Sequence, residues 1–240
     1  MTEVLVRPRP FRTSVSGAVR VEQVAATTDS VPAWRGLMHE KAFALSPATG
    51  LLLFAMAGSP TARIASVVFA VTMTCMLGAS SLNHRVNLGL RWEHRFRRAD
   101  HIAILLFLGG TWTSMTSIVL SGSPRIVLTA AVWGSVLVAS LVMLAWLRVP
   151  GWLMAAIALA VAWPPALVVL PQLGGEAGSA ALALFVAGGV VYTIGAMGYA
   201  LRRPNLHPAF GYHEVFHALV LGGVACHYVT LAVFVLPLAA

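Results

Sequence analysis

The last apolar run of the chain begins with Gly211-Tyr212-His213-Glu214-Val215-Phe216-His217 and continues to Leu238. A run of this length can cross a membrane as one helix. On that helix His213 and His217 lie one turn apart on the same face, so their rings can converge on one ion. A catalytic zinc usually takes three protein ligands and a water. The pattern therefore predicts a metal site whose third ligand comes from elsewhere in the chain.

The composition of the 240-residue chain is typical of a membrane protein. Apolar residues make up 58% and charged residues only 10%, whereas charged residues make up ~25% of an average soluble domain. The net charge of +8 raises nucleic-acid binding as an alternative. However, the basic residues lie between apolar runs and form no patch interleaved with aromatic residues. We therefore predict a multi-pass protein of the cell membrane, with membrane lipids and no nucleic acid as partners.

Seven apolar runs follow the first 40 residues, each near the ~20 residues that a helix needs to cross the hydrocarbon layer. Turn-forming Gly and Pro residues separate most of them. Pro164-Pro165 lies inside the fifth run, where it predicts a kink. The runs are Lys41–Gly58, Ala62–Asn83, Asp100–Ser121, Ile126–Trp146, Gly151–Pro171, Ser179–Leu201 and Gly211–Leu238. This pattern predicts an all-α polytopic protein with a bundle of seven transmembrane helices.

The distribution of basic residues predicts the orientation of this bundle. Residues 1–40 are polar and basic, which indicates a flexible cytosolic arm before a seven-span domain of residues 41–240. With that arm inside, all of the 16 Lys and Arg residues except Arg63 and Arg125 fall on inner segments. Because Lys and Arg accumulate on the cytoplasmic side, the amino terminus is predicted to be cytoplasmic and the carboxyl terminus to be outside.

Polar residues at one depth of the bundle supply candidates for the third metal ligand and for a group that handles water. His213 and His217 enter the last helix from the inner side, so their partners must lie near cytoplasmic helix ends. The second run is followed by His84, with Ser80 one turn deeper on the same face, and the third run begins at Asp100. Ionisable residues in a membrane helix usually face the bundle interior for a functional reason. The shared depth predicts that these residues form one site.

The same residues carry a resemblance to a known family. Four segments together resemble the motifs of the hemolysin III family: Ser80-x-x-x-His84, Arg97-Arg98-Ala99-Asp100-His101, Gly110-Thr111-Trp112-Thr113 and His213-Glu214-Val215-Phe216-His217. That family is the bacterial branch of the progestin and adipoQ receptors, within a superfamily of seven-span membrane hydrolases that includes alkaline ceramidases. The resemblance covers the chain from the first run to its end. Ser114 departs from the pattern, since a proline commonly follows the second threonine.

The resemblance implies a zinc-dependent hydrolase that acts on a lipid amide. In the adiponectin receptors, the residues matching His84, His213 and His217 bind zinc, and those matching Ser80 and Asp100 lie beside the zinc-bound water. Zinc lowers the pKa of a bound water to about 7. Asp100 would accept a proton from that water and later pass it to a leaving group. Ser80 would position the water or the substrate carbonyl.

Several alternatives remain open at the level of sequence. The His213-to-His217 segment also matches the metalloprotease pattern in which Glu214 is the general base, but Glu214 is better explained as an interfacial carboxylate near the positive end of the last helix. A receptor or regulator of membrane homeostasis could use zinc structurally. A pore-forming cytolysin or a transporter would need polar stripes along several helices, which the sequence lacks. Two further histidines are given no role in the metal site: His227 is interpreted as a hydrogen-bonded interior residue and His39 as a solvated one.

Overall fold

A computed structural model describes residues 34–86, 90–146 and 149–239. These residues are almost entirely helical, and none of them forms a strand. The helices are α1 Leu37–Met56, α2 Pro60–Arg85, α3 Leu90–Val119, α4 Gly122–Ala145, α5 Gly151–Ala162, α6 Ala166–Glu176, α7 Gly178–Leu201 and α8 Tyr212–Val229. Helix α8 continues as a π-helical segment, Thr230–Val235, and a 3₁₀ segment, Leu236–Ala239. The all-α prediction is confirmed.

Within the described residues, five helices are long and apolar enough to cross a membrane: Pro60–Arg85, Trp92–Val119, Gly122–Ala145, Gly178–Leu201 and Tyr212–Ala239. The α5 and α6 pair adds a sixth if the two are counted as one bent span. Leu137, Val138 and Leu141 of α4 are 60%, 62% and 54% exposed, which suits a surface that faces lipid. The chain is therefore a polytopic membrane protein. Helix α1 does not meet the same test of length and composition, so the count of seven spans and the location of the two termini stay predictions.

The fifth predicted run is broken at its two adjacent prolines. Helix α5 ends at Ala162 and α6 begins at Ala166, with a bend of 49° between them. Proline lacks the N–H that a helix uses for its hydrogen bonds, and its ring clashes with the preceding turn. The predicted kink is thus a break of three residues. It leaves Trp163 beside α7, where its indole Nε1 donates a hydrogen bond to Thr193 Oγ1 at 3.2 Å.

Helices α2 and α3 pack side by side over much of their length. Phe69 of α2 and Phe107 of α3 meet edge to face, with ring centroids 5.4 Å apart. The Ser114 hydroxyl can donate its one proton to either of two carbonyl oxygens, that of Ala65 on α2 at 2.8 Å or that of Gly110 on its own helix at 2.9 Å. Helix α3 is continuous through Ser114. The departure from the family motif at this position therefore adds a contact between the helices without interrupting α3.

The described part of the predicted amino-terminal arm lies against the helix bundle. Helix α1 begins at Leu37, four residues before the first predicted span. Arg35 contacts Glu214, and His39 contacts His217, both on α8. The rest of the arm, residues 1–33, lies outside the described residues, so the flexible cytosolic arm of residues 1–40 stays a prediction. The residues that join the arm to α1 help to build the candidate site.

Candidate metal centre

The ends of α1, α2 and α8 meet α3 at one end of the bundle and bring the predicted site residues together. Helix α2 carries His84 in its last turn, and α8 carries His213 and His217 in its first two turns. Asp100 lies on α3 beside α2, where it is 6% exposed. The start of α1 covers the group from the side. Residues separated by more than a hundred positions in sequence thus form one cluster.

The three histidines His84, His213 and His217, called the histidine cluster below, could hold a metal ion. Their candidate ligand atoms all lie within 4.8 Å of one another. His84 Nε2 and His213 Nε2 are 3.2 Å apart, and two nitrogens bound to one tetrahedral zinc at 2.0–2.1 Å would be separated by about 3.3 Å. His217 Nε2 is buried and has no hydrogen-bond partner among the described residues. The donor atoms and their spacing therefore fit a zinc ion.

Asp100 lies beside the point on which the imidazole rings converge. Its Oδ2 is 3.5 Å from His84 Nε2, the atom that faces His213. The side-chain amide of Asn83 donates a hydrogen bond to the same Oδ2 at 2.9 Å. A carboxylate has about four acceptor sites on its two oxygens. Asn83 can therefore fix the orientation of the carboxylate while other acceptor sites stay available for a substrate or a water.

His39 is buried, and its interpretation as a solvated histidine is wrong. It is 3% exposed, and its Nδ1 is 2.8 Å from Ser80 Oγ. Its ring also contacts His217 Nδ1, at 3.0 Å from Nδ1 and 3.1 Å from Nε2. Metal-bound histidines usually use their second ring nitrogen for such a contact, which fixes the ring orientation. His39 and Ser80 thus form a chain of contacts behind His217, on the side away from its unpartnered Nε2.

Glu214 lies between the two histidines of α8 in sequence, but both of its oxygens are already engaged. Oε1 accepts a hydrogen bond from Arg35 Nε at 3.0 Å, and Oε2 accepts one from the backbone N–H of Gly211 at 2.9 Å. The second contact caps the first turn of α8, where a negative charge also interacts favourably with the helix dipole. A general base needs an oxygen directed at the reacting water. The geometry therefore favours a structural role for Glu214 over the metalloprotease role.

The ion pair between Arg35 and Glu214 predicts a stability difference between two arginine variants. Glu214 is fully buried, so Arg35→Met is expected to lower the free energy of unfolding by about 1–3 kcal/mol, because a buried charged acceptor loses its partner. The matched control is Arg85→Met, which breaks an exposed pair with Glu40, a kind of pair that contributes little. Thermal unfolding of the purified proteins measures both. Equal melting temperatures for the two variants would contradict the prediction.

A cavity of about 530 Å³ extends from the histidine cluster into the bundle. This volume is in the range of small-molecule sites, ~300–1,000 Å³. Charged side chains line the end near the histidines: Arg35, Glu93, Arg97, Asp100 and Arg202. Apolar side chains line much of the remainder, among them Leu159, Leu170 and Phe185. The cavity therefore suits a molecule with one polar end and an apolar body.

Three residues of this site were not identified from the sequence: Arg35, His39 and Asn83. Asn83 directly precedes His84 in the motif at the end of the second run, so its position could have identified it as a residue of the site. Arg35 and His39 lie in a polar basic segment, which gave no sign that it would return to the bundle. Their placement depends on the contact of α1 with α8.

The chain is similar to haemolysin-III related proteins along most of its length. The family model described as haemolysin-III related matches residues 29–228. Hemolysin-3 of Bacillus cereus is 26% identical over 193 residues, which cover 76% of this chain and 80% of that protein. A hemolysin-3 homolog of Bacillus subtilis (strain 168) is 25% identical over 179 residues, which cover 74% and 81%. The match to the family model includes every residue of the histidine cluster, and it agrees with a multi-pass protein of the cell membrane.

Proposed function

The chain belongs to the haemolysin-III related family, and from that premise we propose that it is a zinc-dependent membrane hydrolase that cleaves a lipid amide. One observation carries the proposal. Three imidazole rings converge next to a buried carboxylate at the polar end of a cavity whose body is apolar. This combination offers a metal site, a proton acceptor and a place for an acyl chain. The similarity to hemolysin-3 proteins gives the family, the resemblance to alkaline ceramidases suggests the amide bond, and the site offers the metal ligands and the proton acceptor.

The histidine cluster holds the ion in this proposal. His84 and His213 present their Nε2 atoms to each other, and His217 presents its unpartnered Nε2. Zinc bound there supplies Lewis-acid activation of water and of the substrate carbonyl. His39 contacts the other ring nitrogen of His217 and keeps that ring in place. Ser80, through its contact with His39, completes this support and positions the reacting groups at the cavity wall.

Asp100 moves the proton in the proposed reaction. Its carboxylate accepts a proton from the attacking water and returns it to the nitrogen of the leaving amine. An amine leaves readily only after it gains a proton, so one residue that serves first as base and then as acid fits amide hydrolysis. Asn83 keeps the carboxylate oriented towards the histidines through both steps.

The cavity determines which substrates fit this site. The acyl chain of a lipid amide lies along the apolar wall, where burial of its methylene groups favours binding by about 0.8 kcal/mol for each CH₂. Arg97 and Arg202 line the same end of the cavity as Asp100 and contact the polar head of the substrate. The substrate class is therefore an amphiphile with its amide between a polar head and an apolar chain.

An assay of purified protein with and without zinc tests the proposal. Detergent-purified protein is stripped with a chelator, and one portion is reloaded with zinc. Both are incubated with N-acylsphingosine, and the released fatty acid and amine are measured by mass spectrometry. We expect hydrolysis by the reloaded protein and none by the stripped protein. Folded, zinc-loaded protein that releases no product from N-acylsphingosine, N-acylethanolamine or N-acyl amino acids would overturn the proposal.

A further inference from the structure

Three polar side chains line the cavity far from the histidine cluster and have no use in the proposed reaction. They are Thr111 of α3, Tyr192 of α7 and His227 of α8, called the inner subsite below. Thr111 Oγ1, the Tyr192 hydroxyl and His227 Nδ1 are buried and have no hydrogen-bond partner among the described residues. Buried polar atoms are nearly always paired, so each unpaired one requires an explanation. Three of them from three helices in the wall of one cavity point to a ligand.

His227 is held in a fixed orientation with its acceptor nitrogen unpaired. It is 6% exposed, and its ring stacks on Phe185 with centroids 4.1 Å apart. His227 Nε2 donates a hydrogen bond to the carbonyl oxygen of Phe185 at 3.1 Å. Since a carbonyl can only accept, Nε2 carries the proton, and Nδ1 of the neutral ring is an acceptor. The prediction of a hydrogen-bonded interior histidine is confirmed, and His227 also lines the cavity.

Two glycines provide the space that seats His227 and Tyr192 between α7 and α8. A Cβ atom at Gly188 of α7 would lie 2.6 Å from the His227 ring, and one at Gly223 of α8 would lie 2.5 Å from the Tyr192 ring. Each helix therefore accommodates an aromatic side chain of the other. The two rings meet edge to face, with centroids 5.2 Å apart. The inner subsite is thus built by close packing of the helices and does not depend on a loop.

The hydrogen-bonding chemistry of the inner subsite matches a hydroxyl group. His227 Nδ1 accepts, while the hydroxyls of Thr111 and Tyr192 can each donate or accept. A carbonyl oxygen could not use the acceptor of His227, whereas a hydroxyl donates to it and accepts from a neighbour. A charged group would be costly in an apolar interior without a partner. The charged residues that line the cavity all lie at its other end, near the histidines.

We propose that the inner subsite binds a hydroxyl group carried on the apolar chain of an amphiphile whose polar head lies at the histidine cluster. His227 lies ten residues beyond His217 on α8, about 15 Å along the helix axis at 1.5 Å per residue. One cavity reaches both residues, so a single extended molecule can contact both. The proposal rests on the proposed function only for the position of the head. It makes the substrate a hydroxylated acyl lipid.

The test compares the binding of octadecanoate with that of its mid-chain hydroxy derivative. Displacement of a fluorescent fatty acid from the purified full-length protein measures both affinities. We expect the hydroxylated acid to bind wild type about tenfold more tightly, the effect of one or two buried neutral hydrogen bonds. His227→Phe and Thr111→Val are each expected to reduce this ratio towards one and to leave the affinity for octadecanoate nearly unchanged. Tyr192→Phe, which removes only the hydroxyl, is expected to do the same.

The matched control is Tyr199→Phe, which removes a tyrosine hydroxyl from the same cavity near the histidines and is expected to keep the ratio. The measurement is repeated on His213→Ala protein without zinc. If the head binds at the metal, the affinities for both acids fall together in this variant. The ratio of the two affinities is expected to stay the same. Because the assay measures binding, a protein that lacks hydrolase activity still yields the affinity ratio. A ratio near one in wild type, or a ratio that none of the three subsite variants changes, overturns the proposal.

Discussion

Asp100→Asn is expected to lower the rate of amide hydrolysis by about 10²–10⁴-fold while leaving the zinc content of the protein unchanged. That range is typical of the loss of a positioned general base. Asparagine has nearly the same shape as aspartate, so the packing between α2 and α3 is retained. The side chain loses the negative charge that accepts a proton. Hydrolysis rates of zinc-loaded proteins and metal analysis of the same samples measure the two effects separately.

A second acidic residue of the cavity provides the control for this experiment. Glu93 also lines the cavity on α3, but its Oε1 accepts a hydrogen bond from Arg97 at 3.0 Å in a solvent-exposed ion pair. Glu93→Gln removes the same charge by the same chemical change and is expected to retain near wild-type activity. Full activity of Asp100→Asn would exclude Asp100 as the base. Loss of zinc together with activity in that variant would show that Asp100 acts on metal binding.

His213→Ala and His84→Ala are each expected to abolish the binding of zinc. Wild type is expected to contain about one ion per chain, because structural and catalytic zinc sites need at least three protein ligands. Each variant leaves only two histidines in the cluster. Metal analysis of detergent-purified protein measures the content, and circular dichroism confirms that the variants remain helical. The two residues lie on α8 and α2, so equal losses would establish a site built by both helices.

Two further histidine variants serve as comparisons for the measurement of zinc binding. His94→Ala removes an exposed histidine of α3 and is expected to keep the full zinc content. His39→Phe removes the contact behind His217 and is expected to weaken zinc binding about 10–100-fold without abolishing it, as is usual for residues that support a metal ligand. Competition with a chelator of known affinity measures this difference. Zinc retained by both His213→Ala and His84→Ala would contradict the metal centre.

Much of the fold can be predicted from the sequence because a helix in lipid must satisfy its own backbone hydrogen bonds. Long apolar runs separated by turn formers therefore mark helices with little ambiguity. The fourth run was predicted as Ile126–Trp146 and is observed as Gly122–Ala145. The fifth run was predicted to bend at its prolines, and it breaks there. Both results follow from properties of short stretches of sequence: the hydropathy of a run and the prolines within it.

The amino-terminal segment shows where such prediction stops. A single histidine in a basic segment has the same local sequence whether it is solvated or buried. His39 is buried because α1 packs against α2 and α8, which places its ring between Ser80 and His217. Arg35 likewise acquires its role only through Glu214, at a sequence separation of 179 residues. No local pattern contains these contacts.

The sequence by itself determined that this protein is a helical membrane protein and that His213 and His217 share one helix face, because hydropathy and the 3.6-residue helical period act over short distances along the chain. It also indicated that His84 and Asp100 lie at the same depth. Only the tertiary structure decided which further side chains support them: His39 beside His217, Asn83 on Asp100, and Arg35 on Glu214. Such contacts depend on how helices rotate and pack against one another, and local sequence patterns do not specify that.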